Sequence, residues 1–444
     1  MTQPSFTYTA SPNEAESHFQ EFCRNYKSET KKDFDTQKHP KLITIFGNSR
    51  FLGLFLIKNP SLADKYTASI YKNKEKSYGK FCEEITKITQ GAIDPINALK
   101  RYKYTEFLRL TIKELLGLDQ SITYRELSFL AIAISENVLK FTHSEIKLKH
   151  DIQFTESNDY AIIAMGKLGG GEVNYSSDID LIGLYDTDEK LNSLTKHEFY
   201  QKLFVLFGKR LTSQNEHGFL YRVDWDLRPE GKSGTLANSL NAMEKYYVTF
   251  CAEWERQAYI KANPLFQQNS LGNEFLKLMQ AIVYRKSLDE ESIKSIWSMK
   301  EKIHDELSNK KSYGINIKLG KGGIRDIEFF TQGLQLIYGG RNRDLRKANT
   351  LLALEELAKL KLIDAETKEA LSKSYLYLRR LESCLQMENE QQTHTLKSNA
   401  SEQLKVARRM GIFSKPDDAI NQLNEQLFRT TAVVHQIFSE AYGN

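Results

Sequence analysis

The chain has 444 residues, enough for two or three structural units, and 40% hydrophobic with 27% charged residues is typical of a folded globular protein. The absence of a run of about 18 apolar residues argues against a membrane span, and the absence of a basic segment followed by an apolar one at the N-terminus argues against secretion. Without a C-x-x-C pair, disulfides and a thiolate zinc site are not expected, which favours the cytoplasm. The net charge of +5 is small and spread along the chain, so neither nucleic acid nor membrane is predicted as a partner.

The first part of the chain is predicted to be helical, with a capping box at Thr123 and Glu126 that predicts a helix start. Two apolar runs, Tyr160–Met165 and Ile179–Tyr185, predict strands, and the alternating segment Phe219–Leu227 predicts a third. Between the second and third strands, apolar residues recur at helical spacing at Phe199, Leu203, Leu206, Phe207 and Leu211. We therefore expect a helical region at residues 1–144 and a small mixed sheet domain at 145–270.

The last part of the chain predicts a helical bundle over residues 271–444. A second capping box, Ser287 with Glu290, precedes apolar residues at helical spacing at Ile293, Ile296, Met299, Ile303 and Leu307. A further one-sided pattern occupies Leu371, Tyr375, Leu378, Leu381 and Leu385. Helices on both sides of a small sheet domain place the chain in the α+β class.

The stretch Gly166–Leu181 is the most informative segment for chemistry. Its glycines Gly169–Gly171 allow a sharp turn whose backbone N–H groups would cradle a phosphate. Asp178 and Asp180 follow at a spacing of two, which places both carboxylates on one face of a strand while their apolar neighbours face the core. Two carboxylates that close repel each other unless a divalent cation lies between them.

A third carboxylate is expected from the next strand. Arg222, Asp224, Asp226 and Arg228 alternate, so that strand would bring a metal ligand, Asp224, beside cations for phosphate oxygens. Three carboxylates beside a phosphate loop are what two-metal nucleotidyl transfer requires, since one ion activates the attacking oxygen and the other stabilises the leaving oxygen. The alternative, a glycine turn before a surface acidic strand, does not explain acidic residues inside a buried apolar strand.

These segments resemble the nucleotidyltransferase superfold shared with polymerase beta and, more narrowly, the bifunctional glutamine synthetase adenylyltransferase/adenylyl-removing enzyme family. The resemblance extends over about residues 160–395 and rests on the family's GKLGG/SSDIDL, YRVD, WER, IKLG and LRRLE motifs. In this sequence these motifs are Gly166–Leu181, Tyr221–Gly231, Trp254–Lys261, Ile317–Phe329, and Leu378–Glu382 with Gln391–Thr393.

The resemblance implies a polymerase-beta-like catalytic domain flanked by N-terminal helices and a C-terminal helical bundle. The family has two homologous catalytic halves, of which the N-terminal half removes AMP from a tyrosine of glutamine synthetase and the C-terminal half attaches it. The start at Met1, the sequence Asn174–Asp178 after the glycines and a length of about half the family's are similar to the N-terminal half. We expect either a fragment or an isolated removing domain.

The reaction that the resemblance implies is phosphorolysis. Inorganic phosphate attacks the AMP phosphorus of adenylyl-tyrosine, which gives ADP and free tyrosine. Tyrosine phenolate, with a pKa of about 10, is a fair leaving group, so positioning and charge neutralisation by metal ions suffice. The resemblance also implies a PII signalling protein, in its uridylylated form, as a partner beside glutamine synthetase.

The resemblance implies metal ligands as well. Asp178, Asp180 and Asp224 are expected to hold two Mg²⁺ or Mn²⁺ ions, and the choice between Asp224 and Asp226 as the third ligand stays open.

Substrate contacts are expected at Gly169, Gly170, Ser177, Arg228, Lys261 and Lys318. The two glycines would bind phosphate through backbone N–H groups, and the three basic side chains would bind phosphate or AMP. Each basic side chain is equally compatible with a surface salt bridge. Arg325 and Glu328 are expected to form a structural ion pair at a helix start, and the role of Asp326 stays open.

Three other interpretations compete with this one. Adenylyl transfer from ATP would use the same metal ligands, and a nucleic-acid nucleotidyltransferase would need a basic groove with stacking aromatic residues. The helical bundle would also suit a non-catalytic module that docks glutamine synthetase or PII. The dispersed charge argues against the nucleic-acid enzyme, and the intact acidic residues argue against the docking module.

Overall fold

The computed structural model describes residues 6–7, 9–66, 75–152, 159–191, 194–266, 268–288 and 314–442. α-Helices dominate these ranges, and short strands form one main sheet and two small ribbons. The predicted α+β class is therefore confirmed. None of the helices in these ranges has the length and apolar content needed to cross a bilayer.

The N-terminal region is helical, as predicted. Its helices are Pro12–Thr30, Ile45–Asn48, Arg50–Lys58, Tyr78–Thr89, Pro95–Leu115 and Gln120–His150, with 3₁₀ turns at Leu42–Thr44 and Pro60–Lys65. The helix start predicted at Thr123 is wrong, because Asp119 caps the helix by accepting from Ser121 N–H at 2.8 Å. Glu126 is buried in the helix and pairs with Arg109 instead of capping.

The main sheet contains β1 (Tyr160–Ala164), β2 (Ile179–Tyr185), β5 (Val223–Asp224), β6 (Ala237–Ser239) and β7 (Asn263–Pro264), while β3 (Lys190–Leu191) and β4 (Leu194–Thr195) form a separate ribbon. β2 pairs antiparallel with β1, and β1 pairs antiparallel with β7. The other edge of β2 pairs in parallel with β5 at its start and with β6 at its end. The sheet is thus mixed, and the start of β2 lies beside β5.

Both faces of the sheet are covered, which explains why β1 and β2 are almost entirely apolar. Ile179 and Leu181 join a core formed with the N-terminal helices and the helix Lys196–Thr212, which follows the predicted amphipathic pattern. Ile182 and Leu184 join a second core on the opposite face. The helices that cover this second face are Leu240–Phe250, Glu253–Tyr259 and Ser270–Val283. Asp180 belongs to the second face by alternation.

The third predicted strand, Phe219–Leu227, is only partly present. Pairing is limited to Val223–Asp224, because the chain turns where Asp226 N–H donates to Asp224 Oδ1 at 2.7 Å. Asp226 and Arg228 therefore do not continue the strand face that carries Asp224, which corrects the predicted alternation.

The C-terminal part forms a helical bundle with its own core. Its helices are Ile324–Tyr338, Thr350–Lys359, Ala365–Gln386, Ala400–Arg409 and Pro416–Tyr442, with a 3₁₀ turn at Arg343–Leu345 and a ribbon of β8 (Gly314–Asn316) and β9 (Thr395–Lys397). The predicted one-sided helix is confirmed, since Leu371 and Leu378 are buried in this core. The helix predicted after Ser287, up to Leu307, lies outside the described residues.

The division into three units at residues 144 and 270 stays a prediction. The helix Gln120–His150 runs across the first expected boundary, and one core joins the N-terminal helices to the sheet. The N-terminal region also contacts the C-terminal bundle, since Ser49 Oγ donates to the Met387 carbonyl at 2.6 Å.

Gly183→Ala is expected to destabilise the fold by about 1–3 kcal/mol, because a Cβ at this position of β2 would clash with the buried ring of Phe204. The measurement is the shift of the urea unfolding midpoint followed by circular dichroism. Gly79→Ala is the matched control, since no atom lies within 4 Å of its added Cβ and it lies in the helix Tyr78–Thr89. Equal midpoints for the two variants would contradict the packing argument.

Candidate functional site

The three predicted acidic residues line one cavity of about 470 Å³. Asp180 is the register partner of Asp224 in the parallel pair of β2 and β5, so both side chains leave the sheet on the same face. Asp178 precedes β2 and lies two residues before Asp180, on the same side by alternation. The structure thus brings together residues that lie more than 40 positions apart in the sequence.

A glycine allows the backbone to approach this acidic pair closely. Gly166 has a φ of +52°, which L-residues with a side chain rarely adopt, and a Cβ there would clash with Asp180 Oδ2. Met165 N–H donates to the Asp180 carbonyl at 2.8 Å and fixes the turn against β2. The glycine that matters for the acidic residues is therefore Gly166, at the start of the motif.

Asp180 carries negative charge that the described residues do not neutralise. Burial, followed by the charges of Asp224 and Asp178, raises the pKa of Asp180 from 3.8 to about 6. No hydrogen bond or ion pair from the described residues reaches its carboxylate, although Lys318 and Lys167 act on it at longer range. Carboxylate oxygens that face one another in a partly buried cavity are the ligands that Mg²⁺ and Mn²⁺ prefer. Asp180 and Asp224 therefore fit a hard divalent cation.

Asp178 is held differently. Arg222 Nε donates to Asp178 Oδ1 at 2.6 Å, and Gln392 Nε2 donates to Oδ2 at 2.9 Å. Arg222 also donates to the Ser176 carbonyl at 2.6 Å, which fixes the guanidinium beside the cavity. Within the described ranges, no three acidic, histidine or cysteine side chains converge as a ready metal site. Arg222 therefore competes with a bound cation for the negative charge of Asp178.

Basic side chains also line the cavity, among them Lys261. Its Nζ lies 2.6 Å from both Glu172 and Glu328. Burial alone would lower the pKa of Lys261, but the two carboxylates raise it. Lys261 is thus a fully paired buried cation, and it is not available for the phosphate contact expected of it.

Two basic residues of the cavity keep no acidic partner among the described residues, Lys318 and Arg325. The predicted ion pair between Arg325 and Glu328 is wrong, because Glu328 pairs with Lys261 and the Arg325 guanidinium lies over the Phe329 ring at 5.4 Å. Burial lowers the pKa of Arg325, as expected for a cation without a close carboxylate.

The two glycines expected to bind phosphate lie elsewhere. The N–H groups of Gly169 and Gly170 donate to the carbonyls of Met165 and Gly166 at 2.9 and 3.0 Å, so they are not free for a ligand. Both glycines line a neighbouring cavity of about 660 Å³ on another side of the turn. The expected phosphate cradle at these glycines is therefore corrected.

Arg228 does not line the acidic cavity either. Its guanidinium donates to the carbonyls of Trp225, Lys232 and Gly234 at 2.8–3.0 Å, which uses it to hold its own loop. Asp226 lies 3.7 Å from Arg228 and also outside the residues that line the cavity. Asp224, which does line it, is therefore the better placed of the two candidate ligands.

Two further residues of the motifs have structural partners. Ser177 lines the cavity, and its Oγ donates to Asn174 Oδ1 at 2.6 Å. Asp326 is buried and accepts from Gly322 N–H at 2.8 Å, which stabilises the turn before the helix Ile324–Tyr338. The open role of Asp326 is thus that of a turn-stabilising residue.

Comparison with known proteins adds to this geometry. Residues 39–278, more than half of the chain, match the family model described as glutamate-ammonia ligase adenylyltransferase. The chain belongs to this adenylyltransferase family. Residues 297–442 match a second model, described as GlnD PII-uridylyltransferase. The family resemblance seen in the sequence motifs is thereby confirmed.

Curated relatives carry the name bifunctional glutamine synthetase adenylyltransferase/adenylyl-removing enzyme. The relative from Hahella chejuensis is 33% identical over 89% of this chain and 42% of its own length. The relative from Shewanella loihica is 31% identical over 97% of this chain and 45% of its own, and that from Methylococcus capsulatus is 40% identical over 63% and 29%. The chain thus spans less than half the length of these relatives.

Sequence reasoning missed one buried charged group in this family member, which is centred on Glu382 and reaches the cavity through Lys167, Asn174 and His394. Glu382 is buried and accepts from Lys167 at 3.0 Å and Asn174 at 2.7 Å, while Arg379 and His394 lie 3.0 and 2.9 Å away. Burial alone would raise the pKa of Glu382, but these cations hold it well below its ordinary value. The LRRLE motif contained the signal, since it places an arginine three residues before a glutamate on one helix face.

Lys167 belongs to the same group and lines the cavity. Burial, only partly offset by Glu382, lowers its pKa to about 8. Lys167 is part of the glycine-rich motif, but its partner Glu382 could not be predicted because it lies 215 residues further along the chain.

Asp180→Asn is expected to stabilise the metal-free protein in a pH-dependent way. The folded state keeps the Asp180 proton up to about pH 6, whereas the unfolded chain loses it near the ordinary value of 3.8. Wild-type stability therefore falls as pH rises between these values, and the variant escapes this loss. The difference in unfolding free energy should be near zero at pH 4 and reach roughly 1–3 kcal/mol above pH 6.5. Urea unfolding in EDTA measures it, with Asp226→Asn, whose carboxylate lies outside the cavity, as the control.

Proposed function

We propose that this chain is a nucleotidyltransferase that removes AMP from an adenylylated tyrosine of glutamine synthetase by phosphorolysis, with ADP as the product. The observation that carries the proposal is the charge pattern of one cavity. Among the described residues, the carboxylates of Asp180 and Asp224 and the side-chain cations of Lys318 and Arg325 line this cavity without a direct ion pair. A phosphate-bearing substrate with divalent cations would neutralise both pairs at once.

The chain's own residues would divide the work as follows. Asp180 and Asp224, joined by Asp178 once it leaves Arg222, would hold two Mg²⁺ or Mn²⁺ ions. When bound, such ions supply activation of the attacking oxygen and stabilisation of the leaving oxygen. Lys318 would orient phosphate, and Trp254, which also lines the cavity, offers an aromatic face for a ring of the substrate.

The proposal includes a polymerase-beta-like fold for the catalytic domain. Three features support it: a mixed sheet covered on both faces, acidic residues at the start of its central strand β2, and a third acidic residue on the adjacent parallel strand β5. A glycine turn precedes the acidic strand, and Gly166 lets its backbone pass close to the Asp180 carboxylate.

The removing direction rests on the sequence Asn174–Asp178, which is similar to that of the N-terminal half of the family. Its side chains are built into the structure: Asn174 donates to Glu382, and Tyr175 donates to Glu114 at 2.8 Å. A PII signalling protein, in its uridylylated form, is proposed as a second partner. The match of residues 297–442 to the PII-uridylyltransferase model supports that partner.

The deciding experiment incubates adenylylated glutamine synthetase with the chain, phosphate and Mg²⁺ and measures ADP. Wild type should release ADP, and Asp180→Asn combined with Asp178→Asn or Asp224→Asn should lower the rate by at least about a hundredfold, because charge neutralisation is the main catalytic effect. Asp226→Asn is the matched control, since Asp226 lies outside the cavity and should keep most of the activity.

Two outcomes would overturn the proposed reaction. Incorporation of AMP from ATP without phosphate-dependent ADP release would mean that the chain is an adenylyltransferase. Wild-type ADP release by the Asp178→Asn and Asp180→Asn double variant would mean that these carboxylates do not hold the metal ions.

Arg222→Gln is expected to tighten Mn²⁺ binding roughly two- to fivefold, because it frees the Asp178 carboxylate from an ion pair whose side chains are 36% and 29% exposed. Electron paramagnetic resonance of free Mn²⁺ measures the affinity directly. Arg343→Gln, an exposed arginine of the C-terminal part, is the control and should leave the affinity unchanged. Weaker binding by the Arg222 variant would mean that this arginine organises the site instead of competing for it.

A further inference from the structure

We propose that Arg325, together with Lys318, binds the phosphate or pyrophosphate that reacts with, or leaves from, the transferred AMP group. In phosphorolysis this anion is the incoming inorganic phosphate. In adenylyl transfer from ATP it would be the leaving pyrophosphate. The inference rests on the proposed function for its chemistry, but the anion site itself can be tested without turnover.

The first argument is the charge balance of the cavity. Lys261 is paired with Glu172 and Glu328, and Lys167 is paired with Glu382. These pairs leave Arg325 and Lys318 as the cavity-lining cations without an ion pair in the part of the chain that the structure describes. Their positive charge therefore remains available for a ligand.

The second argument is that Arg325 is held in place without being neutralised. Its guanidinium lies 5.4 Å from the centre of the Phe329 ring, one helical turn further along, so the aromatic face fixes its direction. Its backbone N–H donates to the Lys318 carbonyl at 3.0 Å, which ties both cations to a single turn of the chain. The two charges are thus presented together at one wall of the cavity.

The third argument is energetic. Arg325 is partly buried, and burial lowers its pKa, since its nearest carboxylate, that of Glu328, belongs to Lys261. It also occupies the first turn of the helix Ile324–Tyr338, where the helix dipole disfavours a cation. A cation at such a position costs stability unless an anion binds to it.

The backbone of the same turn is not the anion site. The N–H groups of Ile324 and Arg325 donate to the carbonyls of Ile317 and Lys318 at 3.0 Å, and that of Asp326 donates to the Gly323 carbonyl. With these donors occupied, the side chains of Arg325 and Lys318 are the groups that would contact phosphate oxygens. An arginine presents its donors in a planar fork that matches two such oxygens.

The site would act on the reaction by positioning. A phosphate oxygen forms the new bond to the AMP phosphorus while the bond from that phosphorus to the tyrosine oxygen breaks. The proton lost from the phosphate ends on the phenolate, so no oxidant, reductant or further reactant is needed. Arg325 keeps its charge and exchanges no proton, and its contribution is to hold the attacking group and reduce its repulsion by the AMP phosphate.

Titration calorimetry with inorganic phosphate, and separately with pyrophosphate, on the full chain tests the proposal. Arg325→Gln should weaken the affinity roughly ten- to hundredfold, as expected for the loss of a charge-assisted contact. Arg325→Lys keeps the positive charge but loses the forked pair of donors, so its phosphate affinity should lie between those of wild type and Arg325→Gln. Arg343→Gln is the control and should bind like wild type.

The kinetic counterpart is the KM for phosphate, which should rise in Arg325→Gln by more than the KM for adenylylated glutamine synthetase. Lys318→Gln provides a second variant if Arg325→Gln does not fold, which circular dichroism checks. Wild-type phosphate affinity and wild-type KM for phosphate in the variants would overturn the inference while leaving phosphorolysis intact. Loss of anion binding in the variants of a chain that shows no phosphorolysis would support the anion site and overturn only the proposed reaction.

Discussion

The pairing of β2 with β5 in parallel register is the constraint on which the site depends, because it sets Asp180 directly opposite Asp224. The strand that carries Asp180 is otherwise apolar and buried on both faces. An ionised carboxylate in such a strand is costly, and a second one across the ladder adds repulsion, which raises the pKa of Asp180. The fold tolerates this cost only because the start of the strand opens into a cavity rather than into the core. Gly166 completes the arrangement by keeping the preceding turn clear of the carboxylate.

Charge pairs between distant parts of the chain hold several residues that line the cavity, among them Lys167, Lys261 and Glu328. Glu382 gathers Lys167 and Arg379 in one buried group, and Lys261 bridges Glu172 and Glu328 in another. Both groups connect the sheet to the helical bundle, so they fix the position of the bundle against the acidic edge. A buried ion pair of this kind contributes geometry more than stability, because desolvation offsets most of its attraction. Within the part of the chain that the structure describes, Lys318 and Arg325 are the cavity-lining cations that stand outside these pairs.

The sequence predicted the elements whose signal is local and missed the partners that depend on the fold. Apolar alternation located β1 and β2, and two-residue spacing placed Asp178 and Asp180 on one face. The same reasoning extended the third strand too far, because the Asp224 side chain accepts from the backbone and turns the chain after two paired residues. It also assigned phosphate to Gly169 and Gly170, whose N–H groups close a helical turn instead. Glu328 shows why ion pairs are hard to predict from sequence distance alone. Its neighbour Arg325 was the expected partner, but the folded chain brings Lys261 to it instead.

Residues from both the sheet region and the C-terminal bundle line the cavity, so the proposed catalytic unit must contain both regions. The acidic wall comes from residues 178–224, whereas Lys318 and Arg325 come from the turn that opens the bundle. Gln392, which holds Asp178, comes from the segment after the helix Ala365–Gln386, and Glu390 of that segment pairs with the buried Lys103 of the N-terminal region at 2.7 Å. A sheet domain limited to residues 145–270 would keep the three carboxylates and lose Lys318 and Arg325. The proposed chemistry therefore needs the helices around the sheet, since the sheet alone supplies only the acidic residues of the cavity.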